Sequence, residues 1–269
     1  MPENAAEAVR WYRRAAEQGL AVAQNILGGR YADGDGVPEN DAEAVRWYRL
    51  AADQGYADAQ FNLGVMYDNG EGVPENDAEA VRWFRKAADQ EHPRARVSLG
   101  VMYDTGQGVP ENDAEAVRWY RLAADWGFGE AQFMLGVMYD NGSGVAEDDA
   151  EAMRWFRKAA DRGHVSSQFN LGIMYEDGRG VAEDDAAALS WYRLAADRGH
   201  APAQINLGIK YAMGEGAPKN DVEAYKWFTL VAAQGEASGQ SAKEMLEKDM
   251  TPAQIAEAQR LAAEWRRKE

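Results

Sequence analysis

A period of 36 residues runs through almost the whole sequence. Tryptophan marks it most clearly, because seven tryptophans each lie 36 residues after the one before. A second row repeats a Leu-Gly pair whose glycine is followed three residues later by tyrosine. A fixed period of this size predicts stacked supersecondary units rather than a domain with one central core. The first row comprises Trp11, Trp47, Trp83, Trp119, Trp155, Trp191 and Trp227.

The first half of each unit has the pattern of an amphipathic helix. In residues 41–76, Asn40 is a suitable N-cap, and Glu43 stands three residues later, which is the spacing of a capping box. Apolar residues then recur at helical spacing, so one face of this helix is expected to be buried and the charged face to be solvated. The apolar positions are Ala44, Trp47, Tyr48, Ala51 and Ala52.

The second half of each unit predicts another helix, antiparallel to the first. Gly55 supplies a left-handed C-cap, and the next helix begins at Ala57 and ends at Gly70. Small residues on its packed face are expected to let neighbouring backbones approach closely. The loop that follows returns the chain to the next N-cap, with Val73 as an apolar contact. Each unit is therefore predicted to be a helical hairpin with a hooked loop.

The units predict a repeat domain over residues 1–248, with about seven helix pairs, of which the last degenerates after Gly235. A C-terminal capping helix is expected over residues 251–269, because Thr251 is a good N-cap and Pro252 suits the first helical turn. Its apolar residues are expected to cover the flank of the last repeat. These residues are Ile255, Leu261 and Trp265.

The charge balance argues against several classes of partner. There are 45 acidic and 29 basic residues, which gives a formal net charge of -16 and disfavours binding to nucleic acid. No apolar run approaches the roughly 18 residues of a membrane span, so no membrane insertion is expected. The N-terminal text repeats the internal text VPENDAEAVRW, and we expect no signal peptide. The compartment stays open: cytoplasmic, or periplasmic or secreted if a leader was removed.

The repeating text A-x-x-W-[YF]-x-x-A-A…G-x-A-x-A-Q-x-x-L-G-x-x-Y-x-x-G-x-G-V resembles the Sel-1-like repeat, a relative of the tetratricopeptide repeat. The resemblance covers residues 1 to about 240. It implies an all-α fold, a right-handed superhelical α-solenoid of antiparallel helix pairs that serves as a scaffold for proteins or peptides. One bacterial branch of this family carries a disulfide in each repeat and is linked to β-lactam binding. The sequence contains no cysteine, so that activity is not expected here.

By the same resemblance, the Leu-Gly helix of each unit lines the concave face. The resulting groove is predicted to be apolar and edged by carboxylates, which suits an extended or helical peptide with basic residues. Its predicted lining residues are Asp58, Phe61, Val65, Asp68, Asn69, Val101, Asp104, Phe133, Val137, Asp140, Phe169, Ile173 and Glu176.

Two neighbouring units depart from the repeat at the same place and predict a second contact surface. Where other units carry a glycine, the third has Glu91, a substitution that costs about 1 kcal/mol in a left-handed turn. The fourth places an aromatic residue where others carry Gln or Arg. Tryptophan and arginine are enriched in binding hot spots. The predicted edge surface comprises Arg94, Arg96, Trp126 and Phe128.

No catalytic, metal or cofactor site is expected. His92, His164 and His200 occupy equivalent positions, and stacked helix pairs hold such positions about 10 Å apart, whereas ligands must approach one ion within roughly 2 Å. The predicted function is a non-catalytic protein-interaction scaffold of undetermined oligomeric state. The alternatives are a structural spacer or designed repeat protein without a ligand, and an accessory repeat domain of a larger enzyme or envelope protein.

Overall fold

A computed structural model describes residues 2–266, and this part of the chain is helical without strands. This part of the chain divides into two compact units, each of which contains several of the 36-residue repeats. From here on, the first unit means residues up to 131 with 143–145, and the second unit means residues 132–142 with those from 146 onward. From α1 to α13, helices alternate between the tryptophan-bearing type, termed A, and the Leu-Gly type, termed B; α14 and α15 carry neither motif. In chain order they are α1 (Pro2–Glu17), α2 (Ala21–Asp33), α3 (Asp41–Asp53), α4 (Ala57–Asn69), α5 (Asp77–Asp89), α6 (Pro93–Thr105), α7 (Asp113–Ala124), α8 (Gly129–Asn141), α9 (Asp149–Ala160), α10 (Val165–Asp177), α11 (Asp185–Asp197), α12 (Ala201–Met213), α13 (Asp221–Ala233), α14 (Ala237–Leu246) and α15 (Pro252–Glu264).

From α3 onward, the A helices begin at a side-chain cap, as the sequence predicts. In α3, the Asn40 side chain accepts a hydrogen bond of 3.1 Å from the Glu43 backbone N–H. The reciprocal half of the predicted capping box is replaced, because the Glu43 carboxylate pairs with Arg46 at 3.1 Å. All five predicted stripe positions of α3 are buried.

The turn between an A and a B helix uses one left-handed residue. Gly55 has φ +87°, and at the equivalent place Glu91 has φ +65°, so the third repeat keeps this conformation without glycine. Each B helix then ends on a left-handed glycine such as Gly70, whose N–H donates to the Met66 carbonyl. The loop closes when the Asn76 N–H donates to the Tyr67 carbonyl at 2.8 Å.

Each unit is built by B helices that pack on the A helices before and after them. In the first unit α2 contacts α1 and α3, and α4 contacts α3 and α5; in the second, α10 contacts α9 and α11. Gly64 of α4 faces the buried ring of Phe84, and a Cβ at Gly64 would lie 2.6 Å from that ring. The B-helix glycine thus admits an aromatic ring rather than the neighbouring backbone predicted from the sequence.

The tryptophan row is mostly interior. Trp47, Trp83, Trp119, Trp155 and Trp227 are buried and Trp191 is partly buried. Trp11 differs from the prediction, since 60% of it is exposed. Later tryptophans pack in clusters with residues of the preceding helix pair, as Trp47 does with Leu27 and Ala23 of α2. The same holds for Trp83, Trp119, Trp191 and Trp227, whereas α1, which carries Trp11, is the first helix that the structure describes.

The C-terminal helix packs against the last A helix. The Thr251 side chain and Gln254 form a complete capping box, with Pro252 in the first turn of α15. Trp265 lies edge-on to Trp227, with ring centroids 6.3 Å apart. Ile255 packs into a cluster with Tyr225 of α13. Residues 267–269 of the predicted capping helix lie outside the described residues.

Candidate functional site

The aromatic residues predicted to line the groove are half-buried between successive repeats. Phe61 lies 5.7 Å from Phe84 and 4.8 Å from His92, measured between ring centroids. In the second unit, Phe133 has the same relation to Phe156 and to His164. Phe169 repeats it with Tyr192 and His200. These rings join neighbouring helix pairs, and only their outer edges are open to a ligand.

The aliphatic and outer polar positions have similar local partners. Val65, Val137 and Ile173 are partly buried against core clusters of their own unit, and Val101 is exposed. Asp58 and Asn69 are exposed, but each is engaged: Asp58 approaches the His92 ring at 3.3 Å, and Asn69 donates to Glu71 at 3.2 Å.

The acidic row differs between the two units. In the second unit the chain supplies a cation to each carboxylate of the row. Arg179 pairs with Asp140 and lies 3.5 Å from Asp149. Lys210 contacts Glu176 at 2.7 Å. Asp140 and Glu176 are therefore already partnered within the chain.

Lys210 is the buried centre of an ionic cluster that the sequence interpretation missed. Its side chain is only 4% exposed, and Nζ contacts Asp185 and Glu215 at 2.8 Å in addition to Glu176. Burial alone lowers the pKa of Lys210, but the three carboxylates outweigh it and the pKa is raised. The sequence did contain a signal for this cluster, because the position of Lys210 is methionine in the four preceding B helices.

In the first unit the row has no such partner. Among the described residues, neither Asp68 nor Asp104 forms an ion pair. Burial raises the pKa of the Asp68 carboxyl, and the charges of Asp77 and Glu75 raise it further. The Asp104 carboxyl follows the same pattern: burial first, then the charges of Asp113 and Glu111, raise its pKa. Both carboxylates thus stand in a negative field without a cation.

The edge surface contains a paired substitution. In the first unit Gln54 donates to Gln24 at 2.6 Å and Gln90 donates to Gln60 at 2.7 Å. The next pair of the same register, also 30 residues apart, is Arg96 and Trp126. Here the guanidinium lies over the indole ring, 6.0 Å from its centroid. A cation–π contact replaces the amide hydrogen bond.

Arg96 differs from the prediction because it is not an exposed contact residue. It is 7% exposed, and its guanidinium donates to the Leu122 carbonyl at 3.2 Å. Trp126 is 58% exposed above it. Arg94 is exposed and Phe128 is partly buried. The exposed part of the edge surface is therefore Trp126 with Arg94, supported from beneath by Arg96.

The histidine row caps helices. Nδ1 of His92 accepts from the Ala95 N–H at 3.2 Å, and Nδ1 of His200 accepts from the Ala203 N–H at 3.3 Å. Burial lowers the pKa of His200, which favours the neutral acceptor form. Within residues 2–266, no cluster of three His, Asp or Glu side chains has an arrangement suited to a metal ion.

Shallow clefts lie on the A helices, a surface for which no site residue was predicted. One has a volume of about 410 Å³ and is lined by Val81, Arg85, Lys86 and Val109 among others. A second, of about 300 Å³, occupies the equivalent place around Val45 and Val73. No helix in the described part of the chain combines the length and apolar character required to cross a membrane.

These stacked helix pairs define a helical repeat protein. The Sel1 repeat model matches seven segments, which cover residues 1–20, 21–56, 57–92, 93–127, 129–164, 165–200 and 201–236, and the chain belongs to the Sel1 repeat family. After the first, each matched segment begins with a B helix. Sel1 repeats are typically protein-interaction scaffolds, and the family is generally non-catalytic.

The solved structures that are similar to the chain include two at more than 35% identity. One is a protective antigen present in uropathogenic Escherichia coli strains that displays an SLR fold, with 39% identity and a TM-score of 0.88 over 95% of this chain. The chain spans 56% of that structure's length. The other is a Sel1 repeat protein from Oxalobacter formigenes, with 37% identity and a TM-score of 0.71, covering 80% of this chain and 86% of that one. Comparison with curated proteins gave no match.

Proposed function

We propose that this chain is a non-catalytic scaffold that binds a partner protein or peptide through the edge surface in its first unit. The observation that carries the proposal is Trp126, a large exposed aromatic side chain with Arg96 beneath it. A tryptophan that is already oriented loses little conformational freedom on binding, and tryptophan and arginine are the residues most enriched in hot spots. Arg94 adds an exposed charge to the same surface.

The predicted groove remains part of this proposal, but with a smaller apolar area for a ligand than the sequence predicts. Phe61, Phe133 and Phe169 use most of their surface between repeats, which leaves less apolar area for a ligand than a free groove would offer. Asp68 and Asp104 have no ion-pair partner among the described residues, so both carboxyl groups are available to an external cation. The preferred partner is therefore a protein segment with basic residues.

An affinity-capture experiment tests the edge surface. The full chain is immobilised and compared with the double variant Trp126→Gln and Arg94→Asp, which restores the residues of other repeats. A partner bound by wild type is expected to lose at least about 2 kcal/mol of affinity in the double variant, the usual hot-spot threshold. Binding is then measured by calorimetry with the purified partner.

The matched control is Leu194→Gln, which also replaces an exposed apolar side chain by an amide but lies outside the edge surface. It is expected to capture the same partner as wild type. If the double variant and Leu194→Gln bind equally well, the edge surface is not the binding site.

A further inference from the structure

Equivalent carboxylates of the two units differ in whether the chain supplies them with a cation. In the second unit, Arg179 bridges Asp140 and Asp149. The residue in the register of Arg179 one repeat earlier is Ser143, and the carboxylates in the registers of Asp140 and Asp149 are Asp104 and Asp113. Serine supplies no charge, and no cation in the described structure pairs with Asp104. The repeat that contains Asp104 thus keeps the anionic half of an ion-pair site.

A buried hydroxyl adds a second, independent sign of an unfilled site. Tyr120 is fully buried, and its hydroxyl has no hydrogen-bond partner. The charge of Asp104 acts on this hydroxyl, since after burial it is the next cause that raises the pKa of Tyr120. A buried hydroxyl without a hydrogen-bond partner is destabilising, because it has lost its bonds to water. The Tyr120 ring packs against Gly100, one helical turn before Asp104, just as the Tyr192 ring packs against Gly172, one turn before Glu176. An unbonded hydroxyl in this register indicates an incomplete network.

The completed form of this network exists in the same molecule. Tyr192 occupies the register of Tyr120, and its hydroxyl donates to Oε2 of Glu176. The other oxygen of Glu176, Oε1, contacts the Lys210 ammonium at 2.7 Å. One carboxylate therefore joins a buried tyrosine to a cation. The four preceding B helices carry methionine at the position of Lys210, so they supply no lysine there.

We infer that the Asp104 carboxylate, with Asp113 beside it and the Tyr120 hydroxyl behind it, receives a lysine or arginine side chain from a bound protein segment. This rests on the proposed function, because it assumes that the chain binds a partner, and it names the chemistry of that partner. The bound cation takes the place that Lys210 holds at Glu176. As it binds, Asp104 accepts a hydrogen bond from Tyr120, in the way that Glu176 accepts one from Tyr192.

A cation is the ligand that these groups favour. Two carboxylates in a negative field repel an anion and gain little from a neutral group, whereas hydrogen bonds between ionised partners are about twice as strong as neutral ones. The site is open to solvent on one side, since Asp104 is partly exposed. A flexible side chain of a partner can reach it without unfolding of the chain.

A neighbouring pair of carboxylates determines the spacing of the lysines in a probe peptide. Asp68 and Asp77 repeat the arrangement one period earlier, with Phe84 in place of the tyrosine. Equivalent positions in stacked helix pairs are about 10 Å apart. A polyproline II segment presents side chains on one side every three residues, at about 9 Å. The probe is therefore a capped Gly/Ser/Pro peptide with two lysines three positions apart, and its control carries glutamines instead.

The binding test uses the full chain and NMR titration with this lysine peptide at low ionic strength. Asp104→Asn with Asp113→Asn is expected to weaken the peptide about tenfold, the effect of losing a hydrogen bond to a charged group. Tyr120→Phe is expected to weaken it about fivefold. The charge-matched control, Asp53→Asn with Asp89→Asn, removes two exposed carboxylates of the same unit and is expected to change affinity much less.

A second variant lets the chain supply its own cation to the site. Ser143→Arg places an arginine in the register of Arg179, so it is expected to raise the melting temperature and to abolish binding of the lysine peptide. The inference is overturned if the Asp104 variant and its charge-matched control bind the peptide equally, or if Ser143→Arg leaves peptide affinity unchanged. Either result leaves the Trp126 test standing, because that test uses other residues and the captured partner.

Discussion

At the scale of single residues, the glycine of each Leu-Gly pair determines how closely two repeats approach. A Cβ at Gly28 would lie 2.7 Å from the ring of Tyr48, and one at Gly64 would lie 2.6 Å from Phe84. Real Cβ contacts are almost never this short, so a substituted side chain would have to displace a buried ring. Only a residue without a side chain fits there.

Gly64→Ala is therefore expected to destabilise the protein by about 1 to 2 kcal/mol. Overpacking a buried ring costs about 1 to 3 kcal/mol, and the better helix propensity of alanine recovers up to about 1 kcal/mol. The matched control is Gly129→Ala in the first turn of α8, where a Cβ meets nothing within 4 Å. Chemical denaturation should show a loss for Gly64→Ala and no loss for Gly129→Ala. Equal stabilities would contradict the ring-packing explanation.

The sequence allowed the buried residues to be predicted better than the binding residues. Apolar spacing identified the stripe of α3 because burial of an amphipathic helix depends on period alone. It did not show that Arg96 lies beneath Trp126, since that contact joins residues 30 positions apart through the stacking of neighbouring repeats. The Gln24–Gln54 pair of the same spacing is the signal that would have linked the two substitutions.

At the scale of helices, α12 depends on the neutral form of His200, which caps its first turn. Nδ1 of His200 accepts a hydrogen bond from the first turn of α12, and the ring packs on Phe169. Protonation would convert that acceptor into a donor and would place a positive charge at a helix N-terminus, which the helix dipole disfavours. The lowered pKa of His200, caused by burial, is consistent with this role.

This role predicts a loss of stability in acid. Because the folded pKa of His200 is below its unfolded value of about 6.5, its contribution is complete above that value and is lost as pH falls through the folded pKa. His200→Asn keeps an N-cap acceptor that does not titrate. Thermal melts at pH 7.5 and 5.5 should show a smaller drop for His200→Asn than for wild type. A drop of the same size in both proteins would exclude His200 as a source of acid sensitivity.

The C-terminal helix α15 has a predicted capping role. We propose that α15 covers the apolar side of the last repeat, as predicted for residues 251–269. The contact of Trp265 with Trp227 and the placement of Ile255 beside Tyr225 support it. Thr251 and Pro252 mark the start of this helix in the sequence, and the structure describes it from Pro252 to Glu264.

At the scale of the whole molecule, the excess of negative charge makes the placement of each cation important. A formal net charge of -16 opposes a compact state through self-repulsion. The net charge follows from composition, but composition does not show which charged side chains pair in the fold. Arg179 and Lys210 neutralise the acidic row in the second unit, whereas Asp68 and Asp104 of the first unit are left without cations. The same kind of carboxylate is thus stabilising at one position and destabilising at another.

Removing the charge should therefore have opposite effects at equivalent positions. Glu176→Gln breaks the contact with Lys210 and is expected to lower stability by about 1 to 2 kcal/mol, the low end for charged hydrogen bonds because Glu176 is 33% exposed. Asp104→Asn relieves repulsion by Asp113 and Glu111, so it is expected to raise the melting temperature. At pH 7.5 this gain should shrink when salt is raised to about 1 M, where the screening length falls to about 3 Å. Circular-dichroism melts of both variants at low and high salt measure the two effects. Shifts of the same sign in both variants would show that the two positions have the same electrostatic surroundings, contrary to the structure.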